Sequence, residues 1–304
     1  MDPSHRISGL RLSVVLISIL SLAALARAQI PSSSEDLQSL LTRMEHNIRE
    51  NDLLEEQYVH DDERRVEMVD KKGHGYSQQI QKFESVFVKS LWYRREVERN
   101  GKPLTERQQE ASQKRLDVVS SLEKDYDYII EPMNDNPANS FRTKLPYSYL
   151  TTLFNNRLLR HELIQGREVL VIDSQPRWDA HPASDLERSA LDWKETTWVD
   201  AEDSMPVRYK VELLADKGGS LRKGSTSQVE FTRLQDLPSA PGSAPRYVWL
   251  EQHSESTFIA RVLGMQFTER NDITPSNFRK FHSDVHLVDG SVRETPKTTG
   301  TKRR

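Results

Sequence analysis

The chain has 304 residues, with 43 Lys and Arg against 46 Asp and Glu for a net charge of −3, and no cysteine. Nearly balanced charge removes the basic footprint of a general nucleic-acid binder. Without cysteine there is no disulfide framework, thiolate metal site or acylated-cysteine anchor, so folding rests on burial alone.

Residues 1–28 place Arg6 and Arg11 ahead of the apolar run from Leu12 to Leu25 and end in Ala26-Arg27-Ala28. This is the pattern of a secretory signal peptide cut before Gln29, and the run is shorter than the ~20 residues a spanning helix needs. No later segment is apolar and long enough to cross a bilayer, so the expected product is soluble and periplasmic. A helix follows, in which Leu37, Leu40, Leu41, Met44 and Ile48 recur at spacings of three and four as one apolar stripe, with Ser32 and Glu35 as a capping box. Three strands, Gln57 to Asp70, Tyr76 to Lys89 and Leu91 to Arg99, then form a meander whose turns are Lys71 to Gly75 and Asn100-Gly101.

Thr105 with Gln108 makes a second capping box, opening a polar helix to about Lys124 that carries only Ala111, Leu116, Val119 and Leu122 as a stripe and reads as a lid or surface layer. Tyr126 to Met133 is open between strand and helix, and Asn134 to Asn139 is a loop. Tyr147, Leu150, Leu153 and Phe154 suggest one more short helix. Arg157 to Ile164 and Glu168 to Ser174 make a hairpin about Gln165-Gly166-Arg167, and a long polar loop with Pro176 and Pro182 leads onward.

The stretch from Trp193 to Leu214 is the most legible part of the chain. Two alternating runs flank a polar loop, Ala201 to Met205, so that Val199 faces Val207, Thr197 faces Tyr209, Glu195 faces Val211 and Trp193 faces Leu213. The odd positions give a mostly apolar face. The other face sets Lys194 against Glu212 as a charge pair and Trp198 against Arg208 as ring and cation. Pro206 starts its strand, where a missing N–H is tolerated. The expectation is that Val199, Tyr209, Val211 and Leu213 point to the helix-covered side and Lys194, Trp198, Arg208 and Glu212 to the solvent.

Strands near Ser227 to Gln235, Tyr247 to Val262, Met265 to Thr274 and Phe278 to Leu287 complete the set, with Leu237 to Arg246 a loop and residues 289–304 a basic, disordered tail. With no clean linker, residues 29–288 are expected to form one domain. Ten or eleven antiparallel strands cannot stay flat. The fold class is therefore α+β: a single curled antiparallel sheet forming an unclosed β-barrel, with helices covering the concave face.

No catalytic motif of the hydrolase-elbow, phosphate-loop or dinucleotide kind is present, and neither an enzyme activity nor a cofactor is expected. His282 and His286 lie in a strand-like run that puts them ~13 Å apart, too far for one metal. His60, Asp61, Asp62 and Glu63 read as an exposed strand end rather than a cation site. Glu162 beside His161 points to the opposite face, so no acid–base pair forms there. Trp92, Trp178, Trp193, Trp198 and Trp249 read mainly as packing residues. Glu195 is the odd polar residue on the apolar face of the hairpin, a cavity contact or a rim residue. The candidate ligand-binding residues are Trp193, Glu195, Tyr209, Val211 and Leu213.

Several short motifs recur in order: Arg99-Asn100-Gly101-Lys102-Pro103-Leu104, Glu162-x3-Gly166-Arg167, Trp198-x-Asp200 followed by Pro206-x-Arg208, and Ser276-Asn277-Phe278-Arg279-Lys280-Phe281. Over most of residues 35–287 the chain resembles the periplasmic lipoprotein-carrier superfamily of the LolA, LolB and RseB proteins. The resemblance implies an unclosed barrel plugged by helices and a non-enzymatic binding protein holding a lipid or a lipoprotein acyl chain. The alternative it implies is an envelope regulator that senses a protein partner without carrying cargo. No ligand-contact residue of the family aligns with a motif here, so none is transferred.

Overall fold

The computed structural model describes residues 34–88, 91–121, 128–130, 141–143, 148–217, 221–236, 246–262 and 265–280. The expected signal peptide, the expected Ser32–Glu35 capping box, the expected loop at 134–139, most of the one expected at 237–246, His282 with His286, and the expected tail lie outside the described residues. Among the described residues there are four helices, α1 (Ser34–Glu55), α2 (Glu106–Ser121), α3 (Tyr149–Leu153) and α4 (Asp185–Ala190). The strands are β1 (Tyr58–Val69), β2 (Gly75–Val88), β3 (Leu91–Arg99), β4 (Lys102–Pro103), β5 (Tyr128–Ile130), β6 (Phe141–Thr143), β7 (Phe154–Ile164), β8 (Arg167–Pro176), β9 (Trp193–Asp200), β10 (Pro206–Leu213), β11 (Thr226–Asp236), β12 (Arg246–Val262) and β13 (Met265–Lys280).

All thirteen join one sheet, in the order β6-β5-β3-β2-β1-β13-β12-β11-β10-β9-β8-β7 with β4 beside β3. Every pairing is antiparallel except the short parallel match of β3 with β5. β6 and β7 stand at opposite ends of this path, so the sheet does not close. It does curl. Arg94 of β3 reaches Glu251 of β12 at 3.9 Å, although four ladder steps, on the order of 19 Å of flat sheet, separate the two strands. Only a strongly curved sheet lets two side chains bridge that span across its inner face.

Turn chemistry sets the local registers. Asn100 and Gly101 both have positive φ (51° and 74°), as do Gln165 and Gly166 (51° and 80°), the conformation a two-residue hairpin turn requires. The Asn100 side chain also accepts from the Ile80 N–H at 2.8 Å. At α2 one half of the predicted capping box forms, the Thr105 N–H donating to Gln108 Oε1 at 2.9 Å, while the Thr105 hydroxyl also donates to Gln108 Oε1 at 2.8 Å. α2 lies along β3, where Tyr93 donates to the Ser112 carbonyl at 2.9 Å.

The stripe of α1 is the main seam. Leu37, Leu40, Leu41 and Met44 are buried against Leu150 and Leu153 of α3, Phe154, and Leu170, Ile172 and Val199 of the sheet. Each such side chain contributes about 1.5–3 kcal/mol of transfer free energy. The helix therefore covers the face shared by Leu170, Ile172 and Val199, called the inner face below.

The C-terminal half of α1 fills a split in the sheet. β12 pairs with β13 only from Ser254 onward, its partner there being Ile273. Pro275 follows two residues later, and a residue without an N–H suits the stretch of β13 that has lost its β12 neighbour. Along the same stretch β13 stays paired with β1 through a bulge at Asn277, whose φ is 53°. The freed edge of β12 is covered by one side chain: Asn51 donates to the Trp249 carbonyl at 2.8 Å and accepts from the Trp249 N–H at 2.7 Å. An amide side chain thus replaces a missing strand.

Three expectations are corrected. Met265 to Thr274 and Phe278 to Leu287 were expected as separate strands, yet β13 runs unbroken to Lys280 because the bulge absorbs the turn-like Pro275-Ser276-Asn277. In the central hairpin the pairs Trp193–Leu213, Glu195–Val211, Thr197–Tyr209, Lys194–Glu212 and Trp198–Arg208 form as expected, but Val199 faces Pro206, not Val207, because Val207 sits in a bulge. Trp198 was expected to face solvent; it is 9% exposed, packed with Val169 and Val171, donating to Glu162 at 3.1 Å and lying under Arg208 at 5.3 Å. In β8 the four residues Val169 to Ile172 are all buried, so both faces of the sheet are covered there.

Candidate functional site

The inner face is divided. Toward β1, β2 and β3 it is polar. His60 and Asp62, expected at an exposed strand end, are 8% and 2% exposed. Asp62 accepts from Ser85, meets Arg94 Nε at 3.2 Å and His60 Nε2 at 3.3 Å. Burial opposes ionisation of this carboxyl, but His60, Arg94 and Ser85 outweigh it and hold it below its ordinary value. Among the described residues no group of His, Asp and Glu has metal-binding geometry.

Toward β7 to β10 the inner face is apolar and holds a cavity of about 210 Å³. Its floor is Trp193 and Glu195 of β9 with Val211 of β10; its roof is Tyr149 of α3, Phe154, and Leu186, Ser189 and Ala190 of α4. Each roof element is fixed locally. α4 has Ser184 as its N-cap, accepting from the Glu187 N–H at 3.1 Å, while the Glu187 carboxylate accepts from the Ala183 N–H at 2.5 Å. Lys217 ties α4 down, donating to Ser189 Oγ at 2.6 Å and pairing with Asp192. α3 is held by Asn156, which donates to the Leu150 carbonyl at 2.7 Å, and by the Arg177 N–H, which donates to the Leu153 carbonyl at 2.9 Å.

One polar group faces this cavity from its floor. Glu195 is 6% exposed; its carboxylate accepts from Tyr149 OH and from Thr197 Oγ1 at 2.7 Å. Burial pushes its pKa up, and the two hydroxyl donors offset that only in part. The same burial, with the adjacent carboxylate, pushes the Tyr149 phenol well up. Among the described residues no Lys, Arg or His forms an ion pair with Glu195. The aromatic rings of Tyr149 and Phe154 meet edge to face at 5.9 Å.

Of the five residues singled out in the sequence, Trp193, Glu195 and Val211 come together in this cavity. Leu213 is fully buried at the end of β10, outside the lining, its N–H donating to the Ser225 carbonyl at 2.9 Å. Tyr209 is half-buried outside the lining and lies on Phe231 at 5.9 Å. The roof residues Leu186, Ser189 and Ala190 were missed, although Ser184 followed three residues later by Glu187 is itself a capping-box signal. A second, more polar cavity of about 360 Å³ lies on the other side of α3 and α4, lined by Ser148, Thr152, Arg177, Asp179, His181 and Glu187 among others. Beside it Trp178, expected to pack, is 94% exposed, held out on a turn that the Arg177–Asp179 pair closes at 3.0 Å.

The lock on the β9–β10 loop is a separate, structural cluster. Arg167 forks onto Asp200, with Nη2 to Oδ1 at 2.8 Å, and meets Asp203 at 3.3 Å. Asp200 also accepts from the N–H groups of Glu202 and Asp203 at 3.0 and 2.8 Å. Burial opposes its ionisation, and Arg167 with these N–H donors holds its pKa below the ordinary value.

Among the described residues, no helix is long and apolar enough to cross a membrane. No family model and no curated protein matches the chain. Solved structures are similar in fold. A LolA-superfamily protein from Nitrosomonas europaea is 11% identical, with 81% of this chain and 93% of that chain covered and a TM-score of 0.33. A DUF1329 family protein from Desulfovibrio piger is 12% identical, with 83% and 93% covered and a TM-score of 0.32. The MucA/MucB complex of Pseudomonas aeruginosa is matched at 10% identity, with 82% and 100% covered and a TM-score of 0.24. These likenesses concern the fold alone.

Proposed function

We propose that this is a non-enzymatic binding protein of the periplasm that holds a single apolar chain, of an amphiphile or a lipid acyl group, in the inner-face cavity between α3, α4 and β9–β10. The observation that carries the reading is the cavity itself: apolar on most of its wall, roofed by two short helices that are tied down by their own caps and side chains, and placed beside the α1 seam. Its size sets the cargo. About 210 Å³ exceeds the ~150 Å³ that takes benzene in an engineered site and falls short of the ~300 Å³ where drug-sized pockets begin. That is room for part of one chain, not for the several chains of a whole lipoprotein anchor. The polar half of the inner face, with Asp62 buried in it beside the partly buried Arg94, supports the same limit.

A series of 1-alkanols from four to twelve carbons, titrated at low and high salt, tests the reading. Each added methylene strengthens binding by about 0.8 kcal/mol until the cavity is full, and salt has little effect. Binding that is absent at every length, or independent of length and lost in salt, removes the reading. The second reading, an envelope interaction protein with a protein partner, is supported by one observation, the fully presented Trp178 ring, since aromatic anchors of that kind concentrate at protein interfaces.

A further inference from the structure

The inner-face cavity has a feature that an acyl-chain site does not need. Its floor carries an acidic group, the Glu195 carboxyl, 6% exposed, and among the described residues this carboxyl has no cationic partner. Carboxylates are almost never buried so fully without a counter-charge. Tyr149 and Thr197 supply one hydroxyl each, and a carboxylate has about four lone-pair positions, so acceptor capacity is left over. Around it stand three aromatic side chains, Tyr149, Phe154 and Trp193. Aromatic faces and a carboxylate in one apolar recess are the chemistry that recognises an organic ammonium ion, the rings through their quadrupoles and the carboxylate through its charge.

The geometry points to an alkylammonium ligand: a cationic amine whose nitrogen sits against Glu195 and whose chain lies along Phe154, Trp193 and Val211. This rests on the binding reading given above and names the head group that reading leaves open. An anionic head is disfavoured in the same place, because a fatty-acid carboxylate would meet a buried carboxylate. Lys217, which donates to Ser189 of the roof, is paired with Asp192 and offers no compensating positive charge. A ligand ammonium also relieves the burial that pushes the Glu195 carboxyl toward its neutral form.

The test compares n-octylamine, 1-octanol and octanoate by calorimetric titration at neutral pH, first on the unsubstituted mature protein and then on Glu195→Gln. The amine binds on the order of tenfold more tightly than the alcohol, and octanoate is the weakest of the three. Glu195→Gln, which retains an acceptor for Tyr149, removes the advantage of the amine over the alcohol. Equal affinities for amine and alcohol, or tighter binding of octanoate, on the unsubstituted protein overturn the ammonium assignment but leave the chain-binding reading standing. No binding of any octyl compound overturns both. The head-group comparison on the unsubstituted protein decides the matter even if the variant does not fold.

Discussion

Replacing Asn51 by Ala removes two hydrogen bonds at once and leaves nothing in their place. The side chain is 9% exposed and spans both backbone groups of Trp249, itself 6% exposed, on the stretch of β12 that β13 has abandoned. Each stranded buried group costs about 1–3 kcal/mol, so the variant loses roughly 2–6 kcal/mol. That is a large share of the ~5–15 kcal/mol available to a domain. Urea unfolding reads the loss as a lower midpoint at unchanged slope, and amide exchange of Trp249 rises with it. Leu53→Ala, a neighbour on α1 that is 56% exposed, serves as the control and changes stability by less than ~0.5 kcal/mol. A loss below about 1 kcal/mol for Asn51→Ala, with the Trp249 amide as protected as before, refutes the edge-capping role.

Leu41→Ala, in the buried seam of α1, costs about 2–5 kcal/mol, whereas Lys194→Ala, which breaks a half-exposed pair with Glu212 at 3.0 Å, costs under ~1 kcal/mol; denaturant midpoints that shift equally for the two would mean the inner and outer faces are reversed. Arg167→Ala strands the fully buried Asp200 carboxylate and costs roughly 3–5 kcal/mol, and a change near zero in thermal unfolding would contradict the lock on the β9–β10 loop. Glu195 has a folded pKa above its ordinary 4.5, so the folded state holds this proton more tightly than the unfolded chain; its contribution is full below 4.5 and is lost as pH rises through the raised value. Glu195→Gln therefore flattens the decline in stability between 4.5 and that raised value. Asp62 and Asp200 act in the opposite sense: their pKa values lie below 3.8, so their stabilisation is present above 3.8 and lost as pH falls below it. Stability that rises with pH from 4.5 upward at Glu195 sinks the assignment.

The central hairpin was legible because alternation, a charge pair and a ring–cation pair all demanded one register, and a one-residue slip would have broken each of them. The bulge at Val207 escaped, since an extra residue changes no side-chain type, and so did the burial of Trp198 under Glu162 and Arg208. The α1 stripe was legible for the same reason, as spacing alone exposes a helix face. What could not be read were contacts made at long range. Asn51 looks like any helix C-terminal amide until Trp249 lies beside it, and Arg94 meets Asp62 and Glu251 only because the sheet curls. The charge-rich β1 read as exposed for that reason, though His60 and Asp62 are buried among partners from three other strands. Half of the cavity was visible in Trp193, Glu195 and Val211. Its roof was not, because α4 is a short turn of helix within a polar loop and carries little apolar content of its own.

The most direct test of chain binding on the inner face is methyl NMR of residues 29–304 titrated with 1-octanol. Shifts saturating at Val211, Leu186 and Ala190, with the outer-face methyls of Val169 and Val171 unmoved, are the predicted result. Shifts at Val169 and Val171, or none at Val211 under saturating ligand, would contradict it.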